Sequence, residues 1–461
     1  MDEGARIRPL IQNEFEGHIG VVRACIDPPE GMYARTWGSA THDIAEGRHR
    51  HLYVTCLAVA GALSERPAYL LATDLMAWMS KADEEGIRLP LESEFDLAPG
   101  ALIVHLSHSH GAPFTDPARA DAPGGTLIAP YREQILTTCR AVMTEARDAM
   151  QPSVLSWTAG RCGLAYNRDL VDSRTGEILC GLNPDGPADD TVLVGRVTDA
   201  AGTITASLVN YACHPTSLGG GNRLISPDYI GAMREIVERE TGGAICVFLH
   251  GADGELTPRR SFEDDTEAAD QNGRELGYAA MAALSSLFPP RHQLSFAERQ
   301  ESGTALGRWA FAPRAPGKDF AIRCETVGLA VRDLPSVEEL HRTIAATTGY
   351  ARERAQRRLA MRNKIGDADE VEVPLIAWRL GESVLIGAPV EFYSAFQTEL
   401  RARFPGLSIA VMNICNGYLS YLPPSEDFDR DVYPVRIAVF GRGSLEMALD
   451  KATDMIGAMT G

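Results

Sequence analysis

Three of the eleven histidines, His105, His108 and His110, fall within six positions in the stretch VHLSHSHGAP. An imidazole titrates near pH 6.5 when unperturbed and offers a nitrogen lone pair, so such a cluster suits proton transfer or zinc ligation. The apolar residues ahead of it read as a strand, in which alternate side chains share a face. His108 and His110 are then expected to point one way and His105 the other. The turn Gly111-Ala112-Pro113 puts the pair at the strand's carboxyl end, where open α/β sheets bind ligands. Two histidines hydrogen-bonded at a strand end would give the same pattern.

Other stretches repeat the placement. SLVNYACHPTS runs an apolar strand into His214, and VLIGAPVEFYSAF sets Glu391 after a strand and a proline, ahead of a helix. Two imidazoles and a carboxylate at strand ends form a zinc set of N and O donors with a position open for water, whose pKa such a site lowers to roughly 7. In NICNGYLSYLPP, Tyr421 reads from its chemistry alone as packing, tyrosine being an uncommon ligand. Arg168, in LAYNRDL, fits either an orienting role toward a substrate oxygen or a surface ion pair. The glycines of HGADGELTPRR permit close backbone approach, and His250 and Asp253 there read as a hydrogen-bonded tight turn ahead of extra metal ligands. Asp228, in ISPDYIGAM, reads as a helix start capped by Ser226 with Pro227 in the first turn, and only secondarily as a site residue. No GxSxG elbow is present, which weakens a serine-hydrolase reading.

The elements that must position these residues alternate. The apolar runs HLYVTCLAVA, AYLLATDL and ALIVHLSH precede a helix over Tyr131–Met150; TASLVNYACH, the helix PDYIGAMREIVERET, the strand AICVFLHG and a helix from about Glu267 to Phe288 follow. This is an α/β pattern, and the expected core is a mixed, largely parallel β-sheet covered by helices with the site at strand ends. From Gln293 to Val331 the sequence is irregular; Ser336 and Glu339 then form a capping box for a long helix to about Lys364. That helix, YARERAQRRLAMRNK, reads as a solvated face in preference to an anion-binding patch. VPLIAWRLGESVLIGAPVEF reads as two strands around a turn, LSIAVMNI as another, and a helix from about Ser444 ends the chain.

Composition narrows the classes of function. A net charge of −18 over 461 residues disfavours nucleic acid or an anionic membrane as partner and leaves a small-molecule substrate. Nine cysteines without a CxxC pair, and an acidic start lacking the basic and apolar regions of an export signal, point to a reducing, cytoplasmic setting. The longest apolar run, YVTCLAVAGAL, is too short to cross a bilayer, so no membrane insertion is expected.

Taken together and in order, these segments resemble the catalytic domain of the neutral/alkaline non-lysosomal ceramidases. SHSHGAP resembles that family's THTHSGP-type motif, YACHPTS its second-histidine segment, GADGELTP its GxxGDVSP turn, and APVEFYSAFQTELR its PGEFTTxxGRRLR segment. VRACIDPPEGM resembles a DITPP-type start, and AYNRDL with LNPDGPADDTV the family's NRS and NPxxxxD stretches, so the likeness runs from about Gly17 to Ala452. It implies zinc held by His108, His214, Glu391 and Tyr421, which makes Tyr421 a ligand. It also implies site roles for His110, Arg168 and Tyr433, and sets Thr257 where the family has the serine of its turn. Glu255 and Thr257 depart from the usual Asp and Ser. The export signal and the C-terminal β-sandwich domain of the long ceramidases are not in this sequence. One catalytic domain over residues 1–461 is therefore expected, with 290–335 as the place where it would subdivide.

The chemistry expected is hydrolysis of an amide by zinc-activated water, on a substrate other than membrane ceramide. His110 and Tyr433 share the roles of proton shuttle and oxyanion donor. The alternatives are a zinc esterase or lactonase on a small soluble substrate, or a binding protein that kept the fold without catalysis. A TIM-barrel metal hydrolase also opens on an HxH strand, but no later lysine or strand-end aspartate completes that set.

Overall fold

The long strand β1 (Asn13–Cys25) lies in the middle of an eight-stranded sheet in the computed structural model, which describes residues 7–461. The acidic start with Asp2 and Glu3 lies outside the described residues. The sheet's other strands are β2 (Tyr53–Ala60), β3 (Ala68–Thr73), β4 (Leu102–Leu106), β5 (Gln151–Arg161), β6 (Thr191–Asp199), β7 (Ile204–Tyr211) and β8 (Ile245–His250), in the order β8-β7-β6-β5-β1-β2-β3-β4. A second sheet joins β9 (Phe320–Ala330), β10 (Glu370–Leu380), β11 (Ser383–Gly387) and β12 (Ser408–Met412) in sequence order.

The two sheets pack face to face. Leu57, Val59, Leu155 and Leu208 of the large sheet meet Trp378, Leu385 and Ala410 of the small one in a shared core. On its other face the large sheet carries helix α2 (Ile128–Asp148) over Val54, Cys56 and Leu71, and helices α3 (Tyr229–Glu240) and α4 (Thr266–Leu284) over Val194, Val209 and Phe248. Helices α7 (Ser394–Arg403) and α9 (Ser444–Thr460) cover Leu375, Val384 and Val411 on the outside of the small sheet. Helix α1 (Lys81–Glu94) flanks β4, while α5 (Val337–Ala346), α6 (Gly349–Ile365) and the short α8 (Tyr433–Ile437) complete the set.

The expected mixed α/β character holds, but the large sheet is mainly antiparallel: five of its seven pairings are antiparallel, and only β3–β4 and β7–β8 are parallel. Continuous apolar strands are the mark of parallel sheets because both faces are covered. Here helices cover one face and a second sheet the other, so antiparallel strands lose their alternation and read the same way. The stretch 293–331 is not irregular either. It holds a hairpin, His292–Glu301 with Ala305–Pro313, and then β9; the hairpin is exposed on both faces from Phe296 to Phe311 and so carries no burial pattern.

The capping box forms, Ser336 N–H donating to Glu339 Oε2 at 2.8 Å, but the expected single helix is two, α5 and α6, parted at Thr347 and Thr348, with Gly349 taking φ +57° at the start of α6. The cap of α3 is Asp228 in place of Ser226. Its Oδ1 accepts from Tyr229 N–H at 2.7 Å and its Oδ2 from Leu218 N–H at 3.1 Å, while Ser226 Oγ accepts from Asp228 N–H at 3.0 Å. All nine cysteines are free, and no described helix is long and apolar enough to cross a membrane.

The large sheet's outer strands come together around residues 413–416. Leu106 N–H donates to Ile414 O at 3.2 Å, and the Asn416 carboxamide accepts from Val104 N–H at 2.6 Å and donates to Leu102 O at 2.8 Å along β4. Across the gap, His250 N–H at the end of β8 donates to His105 Nε2 at 2.8 Å, and Asn413 N–H donates to His250 O at 3.0 Å. The carboxyl ends of β4, β7 and β8 thus open at one place.

Candidate metal centre

Strand β4 ends at Leu106, so strand alternation does not aim His108. The chain turns there through φ +60° at His108, held by Ser107 N–H to Thr73 O at 2.9 Å and His108 N–H to Leu75 O at 3.0 Å. His108 Nδ1 lies 2.7 Å from Met76 O, a pure acceptor, which fixes the ring proton on Nδ1 and leaves a lone pair on Nε2. The residues after it are locked by Ser109 Oγ donating to Ser226 O at 2.8 Å. A Cβ on Gly111 would fall 2.6 Å from that same carbonyl oxygen, so only glycine permits the approach.

His214 follows β7 and repeats the tautomer. Its Nδ1 is 3.3 Å from Asp253 O and 3.3 Å from Asp253 Oδ2, both acceptors, so Nε2 again carries the lone pair. Glu391 lies in a two-residue parallel pairing with Tyr421. Its Oε1 accepts from Tyr418 OH at 2.8 Å, whereas Oε2 is buried without a donor among the described residues, 3.2 Å from His214 Nε2 and 3.6 Å from His108 Nε2. The Tyr421 oxygen is 3.3 Å from His214 Nε2 and accepts from Arg168 Nη2 at 3.1 Å. Four donors read from distant stretches therefore meet in one buried spot, and three of them turn lone pairs on one another. A cation relieves that repulsion, and two imidazoles, a carboxylate and a phenol oxygen are an N/O set that suits zinc. Burial pushes the His108 imidazole down to about 4, against the pull of Glu391. Burial would raise the Glu391 carboxyl, but His108 and His214 beside it outweigh that and hold it near 2.

His110 stands beside this set with its ring 4.9 Å from that of His108 and 5.8 Å from that of His214, and tilted against Trp37 at 4.8 Å. It is within ligand reach of an ion on His108 and His214. Both its ring nitrogens are buried without a partner among the described residues, and burial followed by His108 and His214 drives its pKa well below the ordinary value. Tyr433, 40% exposed, faces Tyr421 edge-on at 6.2 Å. Arg168 is buried, with Nη2 also donating to Gly254 O at 2.6 Å and the guanidinium 5.5 Å from the centre of the Tyr421 ring. Thr257 sits in the strand Leu256–Pro258, its Oγ1 3.2 Å from Thr216 Oγ1, and does not line the cavity above the donors.

Several residues support the set from behind it, and of these only Tyr418 carries no signal that isolates it in the sequence. Tyr418, three positions before Tyr421, anchors Glu391. Asp253 backs His214 and is hydrogen-bonded to His250 Nε2 within the HGAD turn; burial would raise its carboxyl, but His250 and His214 hold it below the usual range. Glu255 accepts from Ser394 N–H at 3.0 Å and from its hydroxyl at the start of α7. His105 is structural: Nδ1 donates to Asn413 O at 2.9 Å and Nε2 accepts from His250 N–H. A cavity of about 570 Å³ rises from His108, His110, Glu391 and Tyr421 to the surface, walled by Trp37, Phe114 and the arginine-rich face of α6.

A helix–sheet–sheet–helix protein with a buried histidine-rich centre at the meeting of its sheet edges is the class so defined. Its structural neighbours are neutral ceramidases. The chain superposes on the neutral ceramidase from Pseudomonas aeruginosa with a TM-score of 0.67 and 17% identity, covering 96% of this chain and 74% of that one. A ceramidase complexed with C2 gives a TM-score of 0.69 and 16% identity, covering 96% of this chain and 75% of that one. No protein-family model and no curated protein sequence matches it. At these identities the likeness is one of fold.

Proposed function

We propose that the protein is a zinc-dependent amide hydrolase of the neutral-ceramidase family, acting on a small-molecule amide other than membrane ceramide. The observation that carries this reading is the convergence of the His108 and His214 Nε2 lone pairs on the unpartnered Glu391 Oε2. The ceramidase neighbours support the amide as the bond broken.

His108, His214, Glu391 and Tyr421 are the ligands in this reading. Zinc, when bound, supplies Lewis acidity and lowers the pKa of water to about 7. Met76 O and Asp253 fix the two imidazoles by their Nδ1 protons, and Tyr418 fixes the carboxylate. Arg168 holds the phenol oxygen of Tyr421 through Nη2. Beside the donor set, with both ring nitrogens unpartnered among the described residues, His110 is placed to take a proton and pass it to the leaving amine. The hydroxyl of Tyr433, on the cavity wall, donates to the oxygen where negative charge develops. The nucleophile is water and not Thr257, whose Oγ1 is turned to Thr216.

The test is a pair of single substitutions, His108→Ala and His214→Ala, with zinc measured by elemental analysis and turnover on a panel of N-acyl amides, small cyclic amides, lactones and ceramide. Loss of both metal and amide turnover is expected. Full activity without metal, or ester and lactone cleavage with no amide cleavage, overturns the assignment.

A further inference from the structure

Helix α6 presents arginines at intervals of four, Arg354, Arg358 and Arg362, and all three line the cavity above the donor set, together with Arg332, Arg357 and Arg436. The same lining holds only three carboxylates, Asp333, Glu353 and Glu391. Glu391 faces His108 and His214, and Glu353 is shared by Arg119 at 2.8 Å and Arg357 at 3.1 Å. In a chain of net charge −18 this wall runs against the prevailing sign.

Most of these arginines are occupied. Arg436 pairs with Asp431 at 2.7 Å, Arg362 pairs with Asp367, and Arg332 donates to the carbonyls of Val435 and Ala438. Arg357 donates to Glu353 and to Thr36 O, and Thr36 in turn donates to His110 O, which ties the helix to the centre. Arg354 and Arg358 differ. Among the described residues neither has a carboxylate within ion-pair distance; Arg354 only lies 5.9 Å from the centre of the Tyr350 ring. Like charges four residues apart on a helix oppose folding by about 0.2–0.5 kcal/mol per pair, and Arg354–Arg358 and Arg358–Arg362 are two such pairs. The Nε of Arg362, next along the row, is buried with no acceptor among the described residues. Arg354 and Arg358 are exposed where they line the cavity, so both are hydrated there and open to a bound anion; planar guanidinium groups bind a carboxylate through paired, charge-assisted hydrogen bonds.

We infer that the substrate carries a negatively charged group, of the carboxylate type, which docks on Arg354 and Arg358 while its amide lies at the His108–Glu391 end of the cavity. The inference rests on the amide-hydrolase reading for the position of the amide, but not for the anion. Met76, Met79 and Phe114, in the same cavity, offer an apolar wall for the rest of an amphiphilic molecule.

Binding and turnover separate the two claims. Calorimetry with the full-length protein compares N-hexanoylglycine with neutral N-hexanoylglycinamide, and the monohexylamide of succinic acid with its methyl ester, so that the acid is placed on the amine side or the acyl side of the amide. At least tenfold tighter binding of one acid over its neutral partner is expected, and Arg354→Gln/Arg358→Gln should bring that ratio to within about twofold of one, with the double variant's unfolding midpoint monitored alongside. Equal binding of acid and neutral partner in both pairs, no measurable binding of either acid, or a preference that survives in the double variant overturns the inference. A preference that vanishes in the double variant, with no amide cleaved by the wild type, upholds the anion site and sinks the hydrolase reading instead.

Discussion

Tyr418 donates its hydroxyl to Oε1 of Glu391 at 2.8 Å and thereby leaves Oε2 as the carboxylate oxygen that faces the two imidazoles. A carboxylate free to rotate would present either oxygen and lose entropy on binding an ion. Held by Tyr418, and by main-chain pairing with Tyr421, it is set in place without an ion. Tyr418→Phe removes one hydrogen bond and little volume, so zinc affinity should fall about 10–100-fold, as for other supporting residues around a metal. Competition with a chromophoric chelator measures this; an unchanged affinity rules out the positioning role.

Thr257→Ala separates a water nucleophile from a covalent route. The substitution breaks the 3.2 Å contact with Thr216 Oγ1 and should lower stability by about 0.5–1.5 kcal/mol while amide turnover stays measurable. Complete loss of turnover in a folded, zinc-loaded variant would make the hydroxyl the nucleophile.

The Glu255 carboxyl gives stability a pH dependence. Burial, reinforced by the charge of Asp253, pushes it up to about 7 despite the hydrogen bonds from Ser394. A carboxyl whose pKa is raised on folding contributes stability below its unfolded value, near 4.3, and that contribution is lost as pH rises through about 7. Urea unfolding at pH 5 and pH 8 should therefore show the wild type losing on the order of 2–3 kcal/mol more than Glu255→Gln across this window. Equal losses in the two proteins would mean that Glu255 is ionised throughout.

Gly111→Ala tests the packing that aims His110. The new Cβ would meet Ser226 O at 2.6 Å, backbone that cannot swing aside, so the loop bearing His108 and His110 must shift. Destabilisation of about 1–3 kcal/mol by thermal or urea unfolding is expected, together with a drop in kcat. A variant as stable and active as the wild type would show the loop to be tolerant of displacement.

Much of the donor set can be read from the sequence because His108, His214 and Glu391 are polar residues at the close of apolar runs, and such breaks stand out locally. Tyr421 depends on the resemblance to other chains. What the sequence does not carry is pairing across distance. The antiparallel order of the large sheet is hidden because Leu57 and Cys56, neighbours on opposite faces, are both buried, one against the second sheet and the other against α2. The turn at His108 is invisible because nothing in SHSHG marks a positive φ on histidine. Arg354 and Arg358 read as a solvated helix face and are exposed, but the cavity they also line is not legible because its other side is formed by residues such as Trp37 and Tyr433, far away in the chain.

The Asn416 carboxamide runs along β4 as a surrogate peptide unit, bonded to Val104 and Leu102. In a chain still emerging from the ribosome, that strand's outer rim stays bare until residues 413–416 have been made, and so does the pocket it borders. An incomplete product therefore displays scattered imidazoles with neither Tyr418 nor Tyr421 to finish the site. Completion of the donor set and sealing of the sheet edge thus fall together, and a chain that stops short of residue 413 forfeits both at once.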